Sequence, residues 1–137
     1  MAHHLFISHS WAYSDTYDGL IKLLDAAPRF EYKNFSVPKD NPIHRAPTDA
    51  ALKAAIAQQM ALSSVVIILA GVYATYSKWI NIEMELAKTA FIYRKKPIIA
   101  VQPWAAERTS SVVKDAADRI VGWNTNSIIT AIRELNV

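Results

Sequence analysis

The stretch Ser63–Ala70, SSVVIILA, is an unbroken run dominated by β-branched residues. A half-exposed strand alternates apolar and polar residues, whereas a strand apolar at every position is buried on both faces, as in a parallel sheet covered by helices on both sides. Pro97–Gln102, PIIAVQ, repeats the pattern. Two such strands in one chain of 137 residues predict the interior of an α/β fold.

Working outward, His3–Ser8 (HHLFIS) reads as a short strand. Phe30–Ser36 (FEYKNFS) alternates aromatic and polar residues as a strand does. Arg119–Trp123 reads as a short edge strand. Helical signals fall between them. Tyr17, Leu20, Ile21 and Leu24 make one apolar face at i, i+3, i+4, i+7, behind a cap at Ser14 or Asp15, and Pro28 ends that helix. Thr48 caps a helix over Asp49–Met60. Lys78–Arg94 predicts a long helix, Ser111–Ala117 a short one, and Asn126–Leu135 a closing one capped by Asn124, Thr125 or Asn126. Between Val37 and Pro47, Pro38, Pro42 and Pro47 forbid regular structure.

Five strands alternating with five helices predict a three-layer, doubly wound, all-parallel sheet with right-handed crossovers. The expected order is flavodoxin-like, 2-1-3-4-5. No linker, repeat or low-complexity tail interrupts the pattern, so residues 1–137 are expected to form one domain.

Composition narrows the function. There is no cysteine, which removes disulfides, thiolate zinc sites and cysteine nucleophiles and agrees with a cytoplasmic location. The longest strongly apolar run, Val65–Val72, is far short of the ~20 residues that span a bilayer, and the first residues do not read as a signal peptide. The net charge of +3 is mild. Its one basic cluster, Arg94-Lys95-Lys96, suits a helix carboxyl end, and no alternation of basic and aromatic residues points to nucleic acid. With glycine only at positions 19, 71 and 122, neither G-x-G-x-x-G nor a Walker loop can exist. His3 and His4 point to opposite faces of a strand, so no metal site is expected among His3, His4, His9 and His44.

Ligands of doubly wound sheets bind beyond the carboxyl ends of the strands, near the switch point between strands 1 and 3. That rule selects Ser8-His9-Ser10-Trp11, Ser36–Arg45, Gly71–Ser77 and Pro103–Arg108. A phospho-receiver would need an acidic pair after strand 1 and an aspartate ending strand 3, where this chain has Ser8-His9 and Ala70-Gly71. A flavin-phosphate loop is disfavoured because no glycine precedes Gly19, and a serine hydrolase lacks its G-x-S-x-G elbow. In the helix after strand 3, Trp79, Ile82, Leu86, Ala87 and Ala90 form the apolar stripe. Glu83 falls inside it, while Glu85 points away. An inward carboxylate near the amino end of that helix is costly unless paired or used. Arg45 and Arg108 are the available ion-pair partners, so a structural and a reactive role both stay open.

Several of these segments together resemble one family. LFISHSW (Leu5–Trp11), NFSVPKDNPIH (Asn34–His44), SKWINIE (Ser77–Glu83), PIIAVQPWAAERTS (Pro97–Ser110) and WNTNSIITAIR (Trp123–Arg133) resemble, in order and spacing, the TIR-like, ThsB-type proteins of the Thoeris antiphage systems. The resemblance implies NAD⁺ as substrate, with no permanently bound cofactor and no metal. It implies cleavage of the nicotinamide–ribose bond, Glu83 as the catalytic glutamate, and Ser36–Arg45 as the loop over the nucleotide. The nucleotide site it implies comprises Ser8, His9, Ser10, Trp11, Ser36, Asp40 and Trp104. A cyclic ADP-ribose signal read by a separate effector protein, and self-assembly through TIR surfaces, follow from the same likeness. One departure stands out: the general TIR pattern has a tyrosine and a basic residue after the strand 1 serine, whereas this chain has His9 and Ser10. That departure bears on how substrate is gripped and on which product forms. The rival reading is a non-catalytic TIR-like scaffold.

Overall fold

The computed structural model describes residues 3–8, 14–35, 48–69, 85–88, 96–102, 115 and 117–135. Five strands, β1 (His3–Ser8), β2 (Tyr32–Asn34), β3 (Val65–Leu69), β4 (Ile98–Gln102) and β5 (Arg119–Gly122), form one sheet. Its order is β2-β1-β3-β4-β5, the order expected from sequence, and every pairing is parallel. Three helices are described along their length: α1 (Ser14–Asp25), α2 (Asp49–Met60) and α3 (Thr125–Leu135). Residues 85–88 are also helical, within the predicted Lys78–Arg94 helix, and Asp115 lies in the predicted Ser111–Ala117 helix.

The apolar runs are buried as their composition requires. Val65–Ile68 of β3 and Ile98–Val101 of β4 have no measurable exposure. Alternation then sorts the core into two layers. On one face Leu5, Ile7, Val65, Ile67, Ile99 and Val101 pack with Leu20 and Leu24 of α1 and with Ile128, Ile129, Ala131 and Ile132 of α3. The alternate residues Phe6, Val66, Ile68, Ile98 and Ala100 are also buried. So are Ile56 and Met60 of α2 and Ala87, none of which takes part in the first cluster. Each of the valine, leucine, isoleucine, phenylalanine and methionine side chains among them contributes about 1.5–3 kcal/mol relative to exposure, and this burial is what holds helices on both sides of the sheet.

The helix ends follow local chemistry. Thr48 is extended (φ −137°, ψ 161°) and its hydroxyl accepts from Ala51 N–H at 3.0 Å. At α3 the sequence leaves three caps open; the structure selects Asn124, whose side-chain oxygen accepts from Ser127 N–H at 3.0 Å. Thr125 instead donates its hydroxyl to the Leu23 carbonyl at 2.9 Å, fastening α3 to α1. Helix α1 stops at Asp25, three residues before Pro28, because a proline disfavours helical geometry at the residue before it.

Strand β2 is shorter than the expected Phe30–Ser36. Arg29 adopts a left-handed φ of 60°, which turns the chain so that Phe30 stacks between His3 (5.1 Å) and Tyr32 (5.7 Å) and does not enter the ladder. Pairing starts at His3↔Tyr32 and ends at Leu5↔Asn34, three residues short of the end of β1 at Ser8. Strands β4 and β5 likewise begin or end one residue inside the predicted limits: Pro97 and Trp123 lie outside the ladder.

Candidate functional site

In this strand order the chain leaves β1 toward one edge of the sheet and leaves β3 toward the other. Diverging connections open a crevice beyond the carboxyl ends of those two strands. Ser8 pairs with Ile68, so β1 and β3 finish nearly level, at Ser8 and Leu69. The residues leading up to those two strand ends, Leu5–Ile7 and Val65–Ile68, are buried. Strand β4 carries this rim onward. Its only polar residue, Gln102, comes last in IIAVQ and pairs with Gly122, where an added Cβ would meet nothing within 4 Å.

Of the residues singled out from sequence, Ser8 is placed: it is the terminal residue of β1, at the switch point itself. His9, Ser10, Trp11, Ser36, Asp40, Glu83 and Trp104 lie outside the described residues. Described neighbours flank each group. Ser8 precedes His9–Trp11, Phe35 precedes Ser36, and Gln102 comes two residues before Trp104. Glu85 follows Glu83 by two residues. In the helical segment 85–88, Glu85 and Lys88 are exposed, Leu86 is half-buried and Ala87 is fully buried. The expected outward direction of Glu85 is thus observed, and the inward face of that helix is fixed by Ala87.

Two polar residues were not selected from sequence: Gln102, at the rim, and Gln59, in the last turn of α2. Gln102 was legible as the one polar residue closing an apolar strand. Gln59, which donates its side-chain amide to the Phe35 carbonyl at 2.8 Å, was not, because nothing local distinguishes it from Gln58.

The opposite end of the sheet carries a cavity of about 320 Å³ lined by Lys88, Lys96, Pro97, Asp118 and Leu135. Its polar groups close strand ends. Lys96 Nζ donates to the Ser63 carbonyl at 2.6 Å, and Asp118 Oδ2 accepts from Ile98 N–H at 2.8 Å. The two histidines of β1 diverge as expected: His3 stacks on Phe30, and His4 meets the edge of Phe35 at 5.3 Å. Burial, and then the nearby Arg133 cation, hold the His3 pKa below its ordinary value. Among the described residues no three metal-ligating side chains cluster, and no helix is long and apolar enough to cross a membrane.

A five-stranded parallel sheet in this order, with its switch point between β1 and β3, defines the flavodoxin-like class of α/β proteins. The family model for the TIR-like domain of the Thoeris protein ThsB matches residues 6–108. The chain belongs to that family, whose setting is antiphage defence. The matched stretch runs from within β1 to beyond β4 and contains every candidate residue from Ser8 to Trp104. No curated protein matches the chain.

Proposed function

We propose that this domain cleaves the bond between nicotinamide and ribose in NAD⁺ and so makes an ADP-ribose signal, linear or cyclic, in antiviral defence. The observation that carries the proposal is family membership over a stretch that includes Glu83, in SKWINIE, together with a sheet whose switch point ends in Ser8. The exposed Glu85 and buried Ala87 add support. By helical spacing Glu83 shares a face with Ala87, four residues on, and not with Glu85.

The reacting bond joins C1′ of the ribose to the pyridinium nitrogen. When it breaks, the electron pair leaves with nicotinamide, which departs neutral, and positive charge develops on the ribose as in glycoside hydrolysis. Glu83 holds the ribose hydroxyls and stabilises that charge. Trp11 and Trp104 offer faces for stacking, and Ser8, His9, Ser10, Ser36 and Asp40 supply polar contacts to the nucleotide. Neither a metal nor a resident cofactor is required, because the leaving group needs no further activation. Attack at C1′ by water gives ADP-ribose and releases one proton. Attack by an atom of the same nucleotide gives a cyclic isomer, favoured when residues 36–45 exclude water. A separate effector protein reads the product, and assembly of copies through TIR surfaces tunes the activity.

The test is Glu83→Gln, assayed for nicotinamide release from NAD⁺ at high protein concentration, with chromatography and mass identifying the product. Loss of turnover with an unchanged circular dichroism spectrum is expected. Full activity in the variant removes Glu83 from the chemistry. A wild-type protein that assembles with concentration but turns nothing over is a scaffold.

A further inference from the structure

Phe35 is the last described residue before Ser36, and it is held from three sides. Its N–H donates to the Leu5 carbonyl of β1 at 2.8 Å. Its ring meets the edge of His4 at 5.3 Å. Its carbonyl accepts from Gln59 Nε2, on α2, at 2.8 Å. In a continuing parallel ladder the N–H and C=O of one residue point to the same neighbouring strand. Here the N–H donates to β1 and the carbonyl accepts from a helix side chain.

The same helix anchors the chain on the far side of the intervening segment. Thr48, at the amino end of α2, accepts from Ala51 N–H, and Gln59 sits in the last turn. Phe35 and Thr48, the described residues on either side of positions 36–47, are thus both tied to α2. The bond is part-buried and joins residues 24 apart in sequence, where a hydrogen bond resists competition from water better than on the surface.

We infer that Gln59 is a positioning residue: by holding the Phe35 carbonyl, it fixes the backbone at the residue that immediately precedes Ser36, one of the residues proposed above for the nucleotide site. The inference rests on the NAD⁺ reading above for what is positioned, but not for the anchor itself. Gln59 touches no substrate. It acts through the backbone of Phe35.

The experiment compares wild type, Gln59→Leu and, as a control one position away, Gln58→Leu, whose native side chain is exposed. Each full-length protein is measured for amide exchange by mass spectrometry and for the KM and kcat of nicotinamide release. Gln59→Leu is expected to speed exchange at Phe35 and the residues after it about tenfold, the effect of losing one hydrogen bond. Exchange in Val65–Leu69 should stay as in wild type. KM for NAD⁺ should rise several-fold with kcat within about twofold, the mark of lost positioning in the bound state. Gln58→Leu should change neither. Unaltered exchange at Phe35 in Gln59→Leu overturns the anchor. Faster exchange with an unmoved KM overturns the positioning role. If wild type releases no nicotinamide, the NAD⁺ reading fails on its own, and the exchange result alone decides whether Gln59 fixes the backbone at Phe35.

Discussion

Trp123 fills the space that a side chain on Gly19 would need: its Cζ2 stands 3.0 Å from the position of a Cβ there. Gly19 lies in the middle of α1 and Trp123 follows β5, so the glycine admits the ring that closes one end of the first core layer. In an unobstructed helix Gly→Ala stabilises by about 1 kcal/mol. Gly19→Ala should show no such gain, because the methyl meets the ring. In a Trp123→Leu background the gain should return, and a double-mutant cycle by urea unfolding should give a coupling of about 1 kcal/mol. Independent effects would refute the packing described.

Arg29 sits at φ 60° without being glycine. The left-handed region costs an L-residue about 1–2 kcal/mol, partly offset by the extra chain entropy a glycine loses on folding. Arg29→Gly should raise stability by up to about 1 kcal/mol, and Arg29→Val should lower it, read as shifts in the urea midpoint. The Phe30 stack on His3 depends on this turn, so the valine variant should also change the aromatic circular dichroism.

His3 carries the one clear pH dependence among the described residues. Burial and the Arg133 charge lower its pKa in the fold, so between the folded value and the ordinary 6.5 the unfolded chain binds more protons than the native one. Stability must then rise with pH across that window. Above about pH 7, where neutral imidazole is the main form in both states, His3→Phe and wild type should differ by a constant amount. As pH falls through 6.5 wild type should lose stability relative to the variant, and Arg133→Ala should weaken that loss. A difference that stays flat to pH 5 would show that His3 titrates alike in both states.

The two observed caps should be separable by position. Asn124→Ala removes the acceptor for Ser127 N–H and should cost about 1 kcal/mol. Thr125→Val leaves that cap in place but deletes the bond to the Leu23 carbonyl. It should cost more than its helix propensity predicts, because a part-buried carbonyl on α1 loses its donor. Thermal unfolding of the two single variants and the double variant tests this, and near-additivity is expected because the two side chains serve different acceptors and donors.

The sheet was readable because its signal is strong and non-local effects reinforce it. SSVVIILA and PIIAVQ have no polar alternation to misread, and their strands proved to be buried on both faces. Alternation of strands and helices pointed to a parallel doubly wound sheet, and the flavodoxin-like order expected for it is the one observed. The limits of β2 were not readable. FEYKNFS has strand-like alternation throughout, but Arg29 and the stacking of Phe30 on His3 are tertiary choices made by residues far apart in the chain. The cap of α3 stayed open for a similar reason: Asn124, Thr125 and Asn126 are all polar candidates in sequence, and the bonds of Asn124 to Ser127 N–H and of Thr125 to the distant Leu23 carbonyl are visible only in the fold. At the site, the rim position of Ser8 and the outward direction of Glu85 were legible from strand order and helical period. The anchor from Gln59 to Phe35 was not, since it joins two elements whose contact no sequence period announces.

The family match closes at residue 108, before β5 and α3 begin. Those later elements are not ornaments on a finished domain. Ile128, Ile129, Ala131 and Ile132 face Leu20, Leu24, Ile99 and Val101, and a chain cut at the match boundary would present that whole hydrocarbon surface to water. The segment that defines kinship is therefore smaller than the segment that can fold, and truncation at residue 108 should yield aggregate in place of a working minimal unit.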